Sequence, residues 1–475
     1  FEPAQGRWQW RLGEGGESQL PTDLVDLFTR RICQLGSDCQ KLLAGAACLG
    51  NRFDLTTLAI ISGYSVEACR QTLAPALSMG LVLPISEPAA DTFMFLHDRV
   101  QQAAFNFIPS AELPHARLTI GRLLRGALPP DQLHDQLFTV VDHLNAGHHV
   151  ITDESEQVEL VRLNVQAARK AHVATAYHAA LQFHRFASRW MEEPSFAERL
   201  WGGHHTLALQ LCLEHAETEF LEGDRSVAER LIQQAAARAC TPTERAEALN
   251  LLVLQYTLLA RYPEAIAAGR EALAALSITL PTADYEVARD AEIAEVRAGL
   301  QGRAVADLAC LPVMSDPEMR IAAKLLITMG PPCYRAHQRL WSVIVPKVVN
   351  LTIRHGNLPQ IGYSHPAFGG LMGWVANDYA LTREFGTLAT RLMTETFEAP
   401  SDRSVFYLMI GSSVRHWSEP LQASSRDYAL AHEIGARSGN LQYAAYAYGH
   451  NLYCRLYQGM PLPDLIAEAQ ASLVF

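Results

Sequence analysis

The sequence predicts an all-α chain carrying one small β-hairpin, and three observations point there. Leu24, Leu27, Phe28, Ile32 and Leu35 share one face at helical spacing, and Leu42 to Leu49 is almost continuously apolar, as in a buried helix. Alanine and leucine are abundant, whereas Val, Ile and Thr seldom alternate with polar residues over the length of a strand. After residue 129 the helical texture is broken by proline or glycine at intervals suited to helix pairs, which suggests a repeat array.

A chain of 475 residues corresponds as a prior to about three domains. The segments expected are 1–20, the tail of a preceding region; 21–128, a winged-helix-like module; and 129–475, a helical-repeat domain. A formal net charge of -11 repels phosphate backbones, which disfavours bulk nucleic-acid or anionic-membrane binding. Nine cysteines run from Cys33 to Cys454 without a Cys-x-x-Cys pair, a pattern of reduced thiols expected in the cytoplasm. No apolar run is long enough for a membrane span. The chain opens at Phe1 and stops inside a helical pattern at Ala471–Phe475, so it is expected to be a piece of a larger protein.

Arg7-Trp8-Gln9-Trp10-Arg11-Leu12 alternates like a short strand before a Gly-rich turn. From Asp23 the order reads helix, helix, helix, hairpin, helix. Asp54 is placed to cap Leu55–Ile61, and Ser65 to cap a helix that runs to Met79 and stops at Gly80. Leu81-Val82-Leu83-Pro84-Ile85 and Phe93-Met94-Phe95-Leu96 flank a turn-rich connection and read as the hairpin. Asp98 with Gln101 fits a capping box for the next helix. Helices followed by a small hairpin describe a winged helix. Its candidate recognition helix offers one arginine, Arg70, set against Glu67, and so reads as a packing helix with no DNA-reading face.

Beyond Pro129-Pro130, one segment fits the tetratricopeptide pattern. Leu249, Leu252 and Tyr256 lie on a first helix, Ala260-Arg261-Tyr262 turns, and Ala265 and Ala272 lie on a second. Short side chains matter because antiparallel helices approach closely only where they occur. The same register returns at Ala216, Ala228 and Ala235, and earlier at Ala168, Ala180 and Ala187. Uneven spacing makes this an irregular, TPR-like superhelix.

Catalytic patterns are missing. Only four lysines exist (Lys41, Lys170, Lys324 and Lys347) and none follows a glycine, so no P-loop is present. His432-Glu433 begins a zincin-like pair, but Ala436 stands where the second histidine belongs. His143, His148 and His149, and His204-His205, show no metal-ligand spacing and read as structural or surface groups. No catalytic residue, metal or cofactor is therefore expected on these residues. Tyr443, Tyr446, His450, Tyr453 and Tyr457 follow a 3-4-3-4 spacing on one helix face. Such a stripe either packs between repeats or lines a groove for a peptide, protein or small effector.

Phe93-Met94-Phe95-Leu96-His97-Asp98-Arg99-Val100-Gln101-Gln102-Ala103-Ala104-Phe105 resembles a hallmark of very large bacterial serine/threonine kinases and hybrid sensor histidine kinases. Gly6–Trp10, Ala46–Leu55, Ile120–Leu124 and Asp142–Asn145 agree with it. In that architecture a kinase precedes a STAND-type AAA-like ATPase, then winged-helix and helical-repeat regions, often followed by histidine-kinase modules. The resemblance implies a non-catalytic regulatory segment of a multidomain signalling kinase, with ATP or ADP held by a nucleotide domain outside these residues. Leu96-His97-Asp98 resembles the Met-His-Asp motif of STAND switches, whose histidine meets the ADP phosphate; His97 and Asp98 are the implied sensing residues, and simple capping by His97 is the alternative. Partners implied are the parent's other domains, an effector on the repeats, or a second copy of the chain. The rival readings are the inducer-binding region of a STAND transcription activator, an enzyme whose pocket would need convergent titratable groups, and a passive scaffold or dimerisation arm.

Overall fold

Capping decides where the first helices begin. In the computed structural model, which describes residues 24–85 and 91–472, Asp54 accepts a hydrogen bond from the Thr57 amide at 2.7 Å and Ser65 accepts one from Ala68 at 3.1 Å. Each satisfies an amide that the first helical turn leaves unpaired. The elements they start follow α1 (Leu24–Cys33), α2 (Ser37–Leu49) and β1 (Arg52–Asp54); they are α3 (Leu55–Ser62) and α4 (Val66–Ser78), and β2 (Val82–Pro84), β3 (Thr92–Phe95) and α5 (Asp98–Phe105) come next. The strand-like stretch at Arg7–Leu12 and the tail assigned to 1–20 lie outside the described residues.

The hairpin pairs antiparallel with Val82 opposite Phe95. A third strand, β1, adds to the other edge of β3 with Phe53 opposite Phe93, giving the order β1-β3-β2. Three residues are too few to display alternation, so the sequence shows this strand only as the approach to the Asp54 cap. Phe53, Phe93 and Phe95 turn to the core with Ile32, Leu43, Leu73 and Val100. One expectation is corrected here. The N-cap of α5 is His97, whose Nδ1 accepts from the Arg99 amide at 3.1 Å, and Asp98 occupies the first helical position. Gln101 leaves the helix start altogether and donates to the Ala47 carbonyl at 3.0 Å. That bond ties α5 to α2, which a local capping box would not do.

The chain continues with α6 (Leu113–Ala127), α7 (Pro130–Asp135), α8 (Leu137–Ala146), α9 (Glu154–Val173), α10 (Tyr177–Arg189) and α11 (Pro194–Gly203). Helix α6 packs on α8, and Leu124, Val140, Leu144 and Leu160 share one core. Helices on either side of residue 128 are thus parts of one packed body. By compactness the chain divides into one unit up to Gly203 and another from His204 onward. In the first, Asn145 and Asn164 exchange side-chain hydrogen bonds at 2.9 and 2.8 Å, satisfying a fully buried amide.

The second unit contains α12 (His205–Glu222), α13 (Arg225–Arg238), α14 (Pro242–Leu258), α15 (Tyr262–Ala275), α16 (Tyr285–Gly299), α17 (Pro317–Thr328) and α18 (Gly330–Ala336), then α19 (Gln338–His355), α20 (Ile361–Ala376), α21 (Tyr379–Glu395), α22 (Pro400–Ser413), α23 (Leu421–Ser438), α24 (Leu441–Tyr457) and α25 (Leu462–Ser472). Pro242, Pro317 and Pro400 open their helices, where a missing N–H costs nothing. Antiparallel neighbours include α12 with α13, α14 with α15, α20 with α21 and α23 with α24. Ala228, Ala235, Ala265 and Ala272 are fully buried at these seams. At the α14–α15 turn, the Tyr256 hydroxyl donates to Glu229 at 2.5 Å. Arg261 covers the Tyr256 ring at 4.2 Å and pairs with Glu229 at 3.1 Å, so one cluster fastens α13 to the following hairpin. Among the described residues no helix is long and apolar enough to cross a membrane.

Two measurements test this packing. Ala272→Leu should lower stability by about 1–3 kcal/mol through overpacking, whereas exposed Ala274→Leu should stay within about 0.5 kcal/mol of the parent; equal effects would contradict the close seam. Burial, with the Arg117 charge adding to it, holds His143 down to about 3, and burial does the same to His365. The unfolded chain takes up these protons near pH 6.5, so the stability from neutral histidine is complete above 6.5 and is lost as pH falls from there towards 3. Each contributes a slope of about 1.4 kcal/mol per pH unit. Denaturant unfolding of His143→Leu at pH 7 and pH 5 should therefore show a loss smaller by about 2 kcal/mol than in the parent chain.

Candidate functional site

Within the second unit, α18, α19, α20, α22, α23 and α24 surround a cavity of about 690 Å³, a size suited to a small ligand. Its depth comes from where α20 meets α22. A side chain at Gly370 would place its Cβ 2.8 Å from the Ser413 carbonyl, and one at Gly373 would meet the Trp417 ring at 2.9 Å. With glycine at both places, the α20 backbone reaches α22 and the turn after it, and Trp374 at the end of α20 stays 60% exposed along the rim.

Aromatic rings make most of the wall. Tyr334 from α18 meets Trp341 from α19 edge-on at 5.3 Å, and the Trp341 indole donates to the Tyr363 hydroxyl of α20 at 3.1 Å. Tyr443 and Tyr446 of α24 pack edge-on at 5.8 Å, and His450 faces Tyr428 of α23 at 5.8 Å. Trp417 completes the opposite side; its indole N–H is buried with no acceptor in reach. These are rigid rings with polar tips, suited to hold a flat molecule and orient it.

The charges are few and of one sign. Arg335 of α18 lies over the Tyr446 ring at 5.1 Å, and among the described residues no carboxylate lines the cavity. Asp427 and Glu419, which flank this region, both pair with Arg415 at 2.8 Å. His450 is pushed down by burial and then by the Arg335 charge, so it stays neutral at pH 7. Burial pushes the hydroxyls of Tyr363, Tyr428 and Tyr443 up, which keeps them as donors. Among the described residues, no serine of the lining hydrogen-bonds either of its histidines, so the lining shows no nucleophile held against a base.

Of the residues singled out from the sequence, Tyr443, Tyr446, His450 and Tyr453 come to this cavity on α24, while Tyr457 lies beyond it and is 77% exposed. Arg335 and the three tryptophans carried no local signal, because they reach the site from helices far away in sequence. His97 and Asp98 are exposed at the start of α5 in the first unit. His143 is buried, and His148 packs edge-on against Phe186 and Trp190. His205 is different. Its Nε2 lies 3.0 Å from Glu244 Oε2 and its Nδ1 lies 3.6 Å from Cys240 Sγ. Among the described residues these three are the group close enough to share a metal ion. Glu244 Oε2 is also taken by the amides of Cys240 at 2.7 Å and Thr241 at 3.3 Å, so the cluster already serves as the capping box of α14.

Comparison with known proteins sets this geometry in context. No family model matches the chain. It is similar to hybrid signal transduction histidine kinase G of Dictyostelium discoideum, 23% identical over 539 aligned positions that cover 98% of this chain and 16% of the kinase. The chain therefore spans about a sixth of that relative. Among solved structures it is similar to a signal transduction ATPase with numerous domains and a tetratricopeptide repeat sensor from Pyrococcus horikoshii. That likeness has a TM-score of 0.38 and 11% identity, and covers 95% of this chain and 65% of the other.

Proposed function

We propose that this chain is a non-catalytic regulatory segment of a multidomain signalling kinase, and that its helical-repeat unit recognises a small effector in the aromatic cavity. The observation that carries the reading is the cavity itself: rigid rings from five helices with neutral donors, and no nucleophile paired with a base. Such a site selects a molecule without transforming it. Distant likeness to a hybrid histidine kinase over nearly the whole chain supports a place in a signalling protein. The effector would bias a two-state equilibrium, and the output would pass to a STAND-type nucleotide switch and kinase lying outside these residues.

The cavity is tested with an uncharged flat probe, 2-naphthylmethanol, and with Ser412→Trp, which places an indole in the space. Calorimetry should show the probe binding to the parent chain and not to the variant, while both melt at the same temperature. Equal binding to the two proteins would place the probe elsewhere and end this reading.

His97 is the proposed link to the nucleotide. Its Nδ1 is occupied by the Arg99 amide, so Nε2 carries the proton and is the group offered to a phosphate. Asp98 at the first helical position steadies the helix start through the dipole. In the intact parent, His97→Ala should weaken ADP retention about tenfold, the loss of one charge-assisted hydrogen bond, and raise basal signalling. Unchanged retention and output would remove the role.

A further inference from the structure

The cavity's charge pattern narrows the effector, and this step rests on the reading that the cavity is a binding site. From the stacked, carboxylate-free environment of Arg335, we infer that the ligand is a planar organic anion: an aromatic or fused-ring body bearing a carboxylate.

An aromatic box alone would suit a cation just as well, because ring faces attract positive charge. Arg335 reverses that preference. Its guanidinium already occupies the Tyr446 face at 5.1 Å, and among the described residues it has no carboxylate within ion-pair distance. Two acidic groups that flank the site, Asp427 and Glu419, are held by Arg415 at 2.8 Å. Arg335 is exposed to solvent and so hydrated, yet a cationic ligand beside it would still meet a like charge, whereas a carboxylate would supply a counter-ion. Guanidinium geometry matches a carboxylate with two parallel N–H donors, and stacking on Tyr446 holds that fork in plane. The field of Arg335 also reaches into the cavity, since it helps keep His450 neutral.

Hydroxyl donors suit an anion as well: Tyr428 and Tyr443 line the cavity, and burial keeps their hydroxyls protonated. Flatness follows from the walls. Tyr334, Trp341 and Trp417 all line the cavity, and ring walls of this kind stack on a fused aromatic body better than on a branched aliphatic one.

The experiment compares three probes of one shape by calorimetry on the 475-residue chain: 2-naphthoate, neutral 2-naphthylmethanol and (2-naphthylmethyl)trimethylammonium. The parent should bind naphthoate about tenfold more tightly than the alcohol, the worth of one charge-assisted contact, and bind the ammonium least. Arg335→Met should bring naphthoate and the alcohol to within about twofold of each other; Arg335→Lys should restore part of the preference by charge alone. Equal binding of naphthoate and alcohol by the parent, or tighter binding of the ammonium, overturns the inference and leaves the cavity reading standing. A preference that survives in Arg335→Met overturns it as well. If no probe binds, the cavity reading falls, and this inference falls with it.

Discussion

Helices packed through alanine and glycine sit closer than helices packed through leucine, and the second unit inherits its geometry from that spacing. Ala228, Ala235, Ala265 and Ala272 are fully buried at these seams, where short side chains let neighbouring helices approach closely. Where the small residue is Gly370, the α20 backbone reaches the Ser413 carbonyl itself. Close seams on one side of a helix leave its other side free to carry large rings. The aromatic cavity is therefore a product of the packing: Ala447 of α24 is buried in the core shared with Tyr428 and Ala431 of α23, and Tyr443, Tyr446 and His450 extend from the edge of that seam to the cavity wall.

The helical character and most helix starts could be read from residue patterns, because capping and amphipathic spacing are local. Asp54 and Ser65 cap where their positions before apolar runs indicate, and the Ala260–Tyr262 turn divides α14 from α15. The exceptions are non-local. Strand β1 exists only because β3 offers an edge to Phe53, and Gln101 abandons a capping role for a carbonyl 54 residues away. The face of α24 was legible from its 3-4-3-4 spacing, but its opposite walls were not. Trp341, Trp374, Trp417 and Arg335 share no motif, and only the superhelical path of the repeats brings them together. The same applies to His205 and Cys240, 35 residues apart in sequence.

Electrostatically, the cavity differs from the chain around it. The whole carries a formal charge of -11, yet among the described residues the lining holds no carboxylate and one arginine. An anion approaching from solution meets repulsion first, but salt screens that beyond about 8 Å at physiological ionic strength. Recognition is then left to the short-range contacts of Arg335, which is exposed to solvent, so the preference rests on the geometry of its fork as much as on its charge. Diffusional steering and final fit pull in opposite directions at this site, which favours selectivity over speed of association.

Three of the seven tryptophans in the chain, Trp341, Trp374 and Trp417, stand around this one cavity. Indole emission responds to the polarity and contacts of its surroundings, so the unit carries a built-in optical reporter of whether the space is wet or filled. Occupancy can be followed by unlabelled fluorescence in the native chain, without attaching a dye to the helices whose spacing creates the site.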